Sequence, residues 1–166
     1  MTSRMNIRNG EIKRLLFVCT ANICRSPMAA VFFLDAYRKI PDYHSTVLVG
    51  SAGTLAYKGA PALHEVQKVM AARGFDLSKH RSYPVTARVV SEASLILTME
   101  IGHKEALRAE FPDMAGKIFL LSELSGAPLS VWDPVGGEME DFEYSADFIQ
   151  TLIQRGFSRI LELIEG

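Results

Sequence analysis

The sequence predicts an open α/β fold: a four-stranded parallel sheet with helices on both faces. Three observations carry this. Four short apolar runs alternate with stretches of helical character, the order of a strand–helix–strand chain. The runs are apolar throughout, as strands buried on both faces are. And 166 residues, 48% of them hydrophobic, can fill one such core without staples.

The first run, Leu15-Leu16-Phe17-Val18, leads through a polar turn to Pro27, which suits the first turn of a helix predicted over 28–37. Thr46-Val47-Leu48-Val49 reads as the second strand. Pro61 opens another helix, with Leu63, Val66, Val69 and Met70 on one side and Gly74 as its stop. Ser94-Leu95-Ile96-Leu97-Thr98 is the third strand, and the helix after it, from Ile101 to Phe111, ends before Pro112. Ile118-Phe119-Leu120-Leu121 is the fourth strand. In the last helix Ile149, Leu152, Ile153, Ile160, Leu163 and Ile164 recur at helical spacing. The acidic stretch Glu138-Met139-Glu140-Asp141-Phe142-Glu143 reads as a solvated helix start. The segment 122–138 is long and rich in Gly and Pro, which marks it as functional. One domain over 14–166 is expected, with 1–13 as an N-terminal extension.

Composition disfavours several classes. The formal net charge is −1 and there is no long basic run, so neither nucleic acid nor an anionic membrane surface is favoured as a partner. Two cysteines, Cys19 and Cys24, are too few for a disulfide scaffold or a structural zinc site. His44, His64, His80 and His103 are scattered, without metal-ligand spacing, and no metal or cofactor is expected. No apolar run reaches membrane-spanning length and the first residues lack an apolar signal core, so membrane insertion is not expected and a cytoplasmic location is the default.

The chemistry lies after the first strand, in Cys19-Thr20-Ala21-Asn22-Ile23-Cys24-Arg25-Ser26. Ligands in open α/β folds sit outside the carboxyl ends of the strands. A turn from strand to helix N-terminus points backbone N–H groups inward, and the helix dipole adds positive field, so the site should prefer an anion the size of phosphate. If the loop curls round that anion, Arg25 comes close to Cys19. Its guanidinium then forks onto two oxygens, and the positive surroundings stabilise a thiolate at Cys19. Ser26 could donate a hydrogen bond to the sulfur. Taken singly these residues have plainer roles: a buried inert thiol, a surface arginine, and in Asn22 a left-handed turn residue.

Val18-Cys19-Thr20-Ala21-Asn22-Ile23-Cys24-Arg25-Ser26-Pro27 resembles the signature of the low-molecular-weight protein tyrosine phosphatases. In the same order, Ser51-Ala52-Gly53, His80, Leu97-Thr98-Met99-Glu100 and Asp133-Pro134 resemble further family segments, so the likeness covers nearly the whole chain. It implies metal-free hydrolysis of phosphomonoesters on a phosphorylated protein or peptide through a phosphocysteine, with room for a tyrosine-kinase counterpart. It implies Cys19 as nucleophile, Arg25 as phosphoryl ligand and Asp133 as general acid. Thr20, Ala21, Asn22, Ile23, Cys24 and Ser26 complete the phosphate-binding loop, with Ser51 and His80 as its support. Cys24 matches a second loop cysteine that traps an oxidised Cys19 as a disulfide.

Asp133 before Pro134 is also a common turn starter, and Trp132 beside it is a candidate for packing. Asp113 and Asp42 are the fallback acids. Ala21 stands where the family usually has Gly, and would be strained if that position requires positive φ. Val135 stands where tyrosine-specific members often carry an aromatic, while Tyr57 is a candidate aromatic wall. Asp133-Pro134-Val135-Gly136-Gly137 also resembles a branch with protein arginine phosphatases, in which Thr is typical at the position of Ile23. Ile23 suits an aromatic ring better than a guanidinium. Phosphotyrosine is therefore the expected substrate, phosphoarginine the alternative, and a phosphopeptide-binding module the non-enzymatic reading. Related thioredoxin-coupled arsenate reductases relay electrons through cysteines further downstream, and this chain has none after Cys24.

Overall fold

The computed structural model describes residues 11–41 and 46–166. Along the chain lie β1 (Lys13–Cys19), α1 (Arg25–Arg38), β2 (Val47–Gly53), α2 (His64–Ala72), α3 (Ala87–Glu92), β3 (Leu95–Thr98), α4 (Ile101–Glu110), β4 (Ile118–Leu120) and α5 (Met139–Glu165). Short 3-10 turns flank β4 at Pro112–Lys117 and Leu121–Ser125. The strands form one parallel sheet in the order β2-β1-β3-β4.

The uninterrupted apolar run in β1 follows from this position. Leu15, Phe17 and Cys19 face a core shared with Phe33 of α1, Met70 of α2 and Ile149 of α5. Leu16 and Val18 face a second core with Val90 of α3 and Leu107 of α4. A strand between two helical layers has no solvent face, and each large side chain so buried contributes roughly 1.5–3 kcal/mol. The chain leaves β1 toward β2 on one side, while β3 pairs on the other. That divergence opens a crevice at the carboxyl ends of β1 and β3, the place where such sheets take ligands.

Element boundaries differ from the sequence reading where tertiary contacts decide them. β2 runs on to Gly53 because Gly50, Ser51, Ala52 and Gly53 pair in register with Leu16, Phe17, Val18 and Cys19. The ladder overrides their weak strand propensity. β4 stops at Leu120, whose N–H donates to Glu123 Oε1 at 2.8 Å as the 3-10 turn begins. α3 was not expected: six residues show no helical period, although Thr86 Oγ1 caps it by accepting from Val89 N–H at 3.2 Å. α5 passes through Gly156, where the Leu124 backbone lies 3.4 Å from the position of a Cβ.

Among the described residues no helix is long and apolar enough to cross a membrane. Of the expected N-terminal extension, residues 1–10 lie outside the described residues, and Lys13 already belongs to β1.

Candidate active site

The loop between β1 and α1 is set by Asn22. Among the described residues it is the one non-glycine with positive φ, at 56°, a conformation that asparagine tolerates better than most. It is fully buried and bonded in three directions. Its Nδ2 donates to Ser26 Oγ at 2.7 Å, its Oδ1 accepts from Tyr83 N–H at 2.9 Å, and its carbonyl accepts from His80 Nε2 at 2.7 Å. Ala21 has no positive φ, so the strain its replacement of Gly would bring does not arise. Ser26 Oγ lies 3.0 Å from Cys19 Sγ and 3.4 Å from the Ala52 carbonyl. With Asn22 donating to it, the single Ser26 hydroxyl proton is left to the sulfur and the Ala52 carbonyl, of which the sulfur is the nearer.

The end of β2 presses on the same loop. Thr54 N–H donates to the Cys19 carbonyl and Leu55 N–H to the Thr20 carbonyl, both at 2.9 Å. A Cβ on Gly53 would stand 2.4 Å from Thr20 O and 2.9 Å from Asn22 N. Only glycine fits there. Ser51, expected as loop support, sits within β2 beside Phe17, and the bonds to the loop come instead from its neighbours Ala52, Thr54 and Leu55.

Arg25 begins α1 and its side chain is only 1% exposed. Its Nη1 donates to the Glu100 carboxylate and to the Val131 carbonyl, the latter at 2.8 Å. Its Nη2 donates to Asp133 Oδ2 at 3.2 Å and to Thr20 Oγ1 at 3.3 Å. The Nε–H is buried and has no partner. A buried donor left so costs roughly 1–3 kcal/mol, and an anion in the loop would satisfy it.

Asp133 reaches Arg25 because its loop is tied to the end of β3. Val131 N–H donates to the Met99 carbonyl at 2.7 Å, and Ile101 N–H to Ser130 Oγ at 3.0 Å. Asp133 Oδ1 accepts from Val135 N–H at 3.1 Å, so its turn and its contact with Arg25 coexist. Asp113 falls in the 3-10 turn before β4, at the opposite end of the sheet, and Asp42 lies outside the described residues.

Two neighbours of the loop were given no role from sequence, although Glu100 closes the segment Leu97-Thr98-Met99-Glu100. Glu100, the second residue beyond β3, is the ion partner of Arg25. His103, at the start of α4, accepts from Glu100 N–H through Nδ1 at 3.2 Å and contacts Thr20 Oγ1 through Nε2 at 2.8 Å. The usable signal for both was position, since β3 is the central strand next to β1 and its carboxyl end faces the same crevice.

Tyr57 is 87% exposed, and Val135, two residues after Asp133, is exposed. Trp132, for which packing was the plainer alternative, is exposed as well. Ile23 is half-buried, and its carbonyl accepts from Leu63 N–H at 3.0 Å, hooking the start of α2 to the loop. Burial pushes the Cys24 thiol well above its ordinary range, with the charges of Cys19 and Asp133 adding to the effect, so Cys24 is held as a thiol. Burial also lowers His80 and His103 below the ordinary histidine value.

A parallel sheet with a buried cysteine and a buried arginine in the loop after its first strand defines the class, a cysteine-based phosphatase. The family model for low molecular weight phosphotyrosine protein phosphatase matches residues 14–163, and the chain belongs to that family. A probable low molecular weight protein-tyrosine-phosphatase, EpsP of Ralstonia nicotianae, is 36% identical over 152 residues, covering 92% of this chain and 99% of its own. A protein-arginine-phosphatase of Geobacillus stearothermophilus is also 36% identical, over 86% of this chain and 92% of its own. Among solved structures, a low molecular weight protein tyrosine phosphatase from T. tengcongensis superposes with a TM-score of 0.81 at 34% identity, covering 89% of this chain and 99% of its own.

Proposed function

We propose that the chain hydrolyses phosphotyrosine on phosphoproteins through a phosphocysteine at Cys19. The convergence on Arg25 carries the reading. A buried guanidinium with one N–H unpaired stands in the loop with the cysteine, and Asp133 lies on its flank. In this mechanism Arg25 Nε and Nη2 fork onto two phosphoryl oxygens. Nη2 then exchanges Asp133 for the phosphate, and Asp133 turns to the leaving group. The Cys19 thiolate attacks phosphorus in line, an S–P bond forms, and the bond from phosphorus to the tyrosine oxygen breaks as Asp133 hands that oxygen its proton. Water then loses a proton to Asp133 and attacks phosphorus. The S–P bond breaks, the Ser26 hydroxyl supports the departing thiolate, and inorganic phosphate leaves.

Ile23 and Tyr57 favour an aromatic leaving group. Asp133-Pro134-Val135-Gly136-Gly137 and the arginine phosphatase relative favour phosphoarginine as the second reading. Parallel assays on peptides carrying each group decide between them: the account expects the higher kcat/KM on phosphotyrosine, and a clear preference for phosphoarginine overturns it. Asp133→Ala should cost on the order of 10²–10³ in kcat on phosphotyrosine while substrate binding survives. A cytoplasmic site of action and a tyrosine-kinase counterpart are part of the same proposal.

A further inference from the structure

Granting that reading, we propose that His103 is a positioning residue of this site, acting through Thr20 to fix the face of the Arg25 guanidinium that takes the phosphoryl group. Its ring is buried, 7% exposed, and its two nitrogens are used differently. Nδ1 accepts the Glu100 backbone N–H at 3.2 Å, which leaves Nε2 as the protonated nitrogen of the neutral ring. Nε2 therefore donates to Thr20 Oγ1 at 2.8 Å. Thr20 Oγ1 also accepts from Arg25 Nη2 at 3.3 Å, so both of its lone pairs are taken.

Both sides of the guanidinium are thereby linked to one ring. Glu100, whose backbone bonds Nδ1, holds Nη1 by its carboxylate. Thr20, bonded to Nε2, holds Nη2. The other partner of Nη2 is Asp133, which the mechanism takes away when phosphate enters. Thr20 then remains the protein anchor of Nη2. The fork has to stay in register when the reaction needs it, and the hydroxyl keeps it there only while its own orientation is set. His103 sets it. Without that donor the threonine rotamer is decided by Arg25 alone, and the guanidinium loses a fixed reference on the side facing the phosphate.

The competing role is purely structural, a histidine that caps α4 and does nothing for Thr20. A double-mutant cycle separates the two, read as kcat and KM on an aryl phosphate. Thr20→Val and H103L should each lower kcat/KM by about tenfold, mainly in kcat, because alignment matters most in the transition state. The double variant should be no worse than either single one, since the two residues form one device. T20S, and H103Q with its amide donor and acceptor, should stay within about threefold of wild type. Losses that multiply to about a hundredfold in the double variant, or a Thr20→Val protein as active as wild type, would overturn the proposal. If H103L does not fold, imidazole-optimised ¹H–¹⁵N spectra of the unmutated chain still test it: the proposal requires the Nε2–H tautomer at His103 with a protected proton that Thr20→Val exposes to exchange, and an Nδ1–H tautomer refutes it. Loss of turnover in Cys19→Ser addresses the phosphatase reading alone, so additive losses in an otherwise competent enzyme remove the positioning role and leave that reading intact.

Discussion

Gly53→Ala tests whether the loop geometry comes from packing against the end of β2. The added methyl touches no reacting group. Built at Gly53, it would stand 2.4 Å from Thr20 O, 2.9 Å from Asn22 N and 2.8 Å from Ala56 Cβ, where ordinary contact begins at 3.4 Å. Two of these three neighbours are backbone of the loop between β1 and α1, so that loop has to move by about 1 Å. Overpacking of this kind costs about 1–3 kcal/mol of stability. A displacement of about 1 Å in a positioned catalytic group costs on the order of 10²-fold in rate. The assay is kcat/KM on an aryl phosphate alongside a denaturant melt. G53A should stay folded with midpoints modestly lowered, and lose on the order of a hundredfold in kcat/KM. A G53A enzyme with wild-type kcat/KM would refute the claim that the end of β2 sets the loop.

Asn22→Ala removes the acceptor of the Tyr83 N–H and puts a less tolerant residue at φ 56°. The two effects together should cost about 2–4 kcal/mol in a chemical melt. An effect below 1 kcal/mol, roughly the worth of one ordinary hydrogen bond, would show that the loop is held from elsewhere. Peroxide should convert Cys19 to a sulfenic acid, which the Cys24 thiol then attacks, releasing water and forming a disulfide that dithiothreitol reverses. Cys24→Ser should turn the same exposure into irreversible loss, and equal recovery in both proteins would remove Cys24 from that role. Stability should also depend on pH through His80 and His103. Both are held below 6.5 by burial, so the unfolded chain binds more protons, and stability should fall as pH drops through 6.5 toward the folded-state values and be flat in this respect just above it. A denaturation midpoint that rises as pH falls over that interval would contradict the assignment of both rings as neutral in the folded chain.

The loop was legible because its chemistry is local. Cys19, Arg25 and Ser26 lie within one turn of chain, and a strand on one side with Pro27 on the other fixes where that turn sits. Asp133 was legible by its dipeptide and its long loop. Glu100 was recognisable as the end of a motif, but its role and that of His103 were not legible, because they depend on β3 lying next to β1, a pairing between residues about 80 positions apart such as Leu15 and Leu95. Gly53 was recognisable as part of a motif, but its reason, the Thr20 carbonyl standing where a Cβ would have to go, exists only in three dimensions. The strand cores followed from apolar runs, whereas the ends of β2 and β4 were decided by ladder pairing and by the Glu123 side chain. For Trp132 the plainer alternative of packing does not hold, because the side chain stands at the surface beside Asp133.

The central claim is a covalent intermediate on Cys19. Rapid acid quench during turnover of an aryl phosphate, followed by peptide mass spectrometry, tests it most directly. The account predicts phosphate on the peptide carrying Cys19, accumulating further in Asp133→Ala with a phenol of low pKa as leaving group, and absent from Cys19→Ala, which does not turn over. Phosphate on another residue, or sustained hydrolysis by the Cys19→Ala protein, would contradict it.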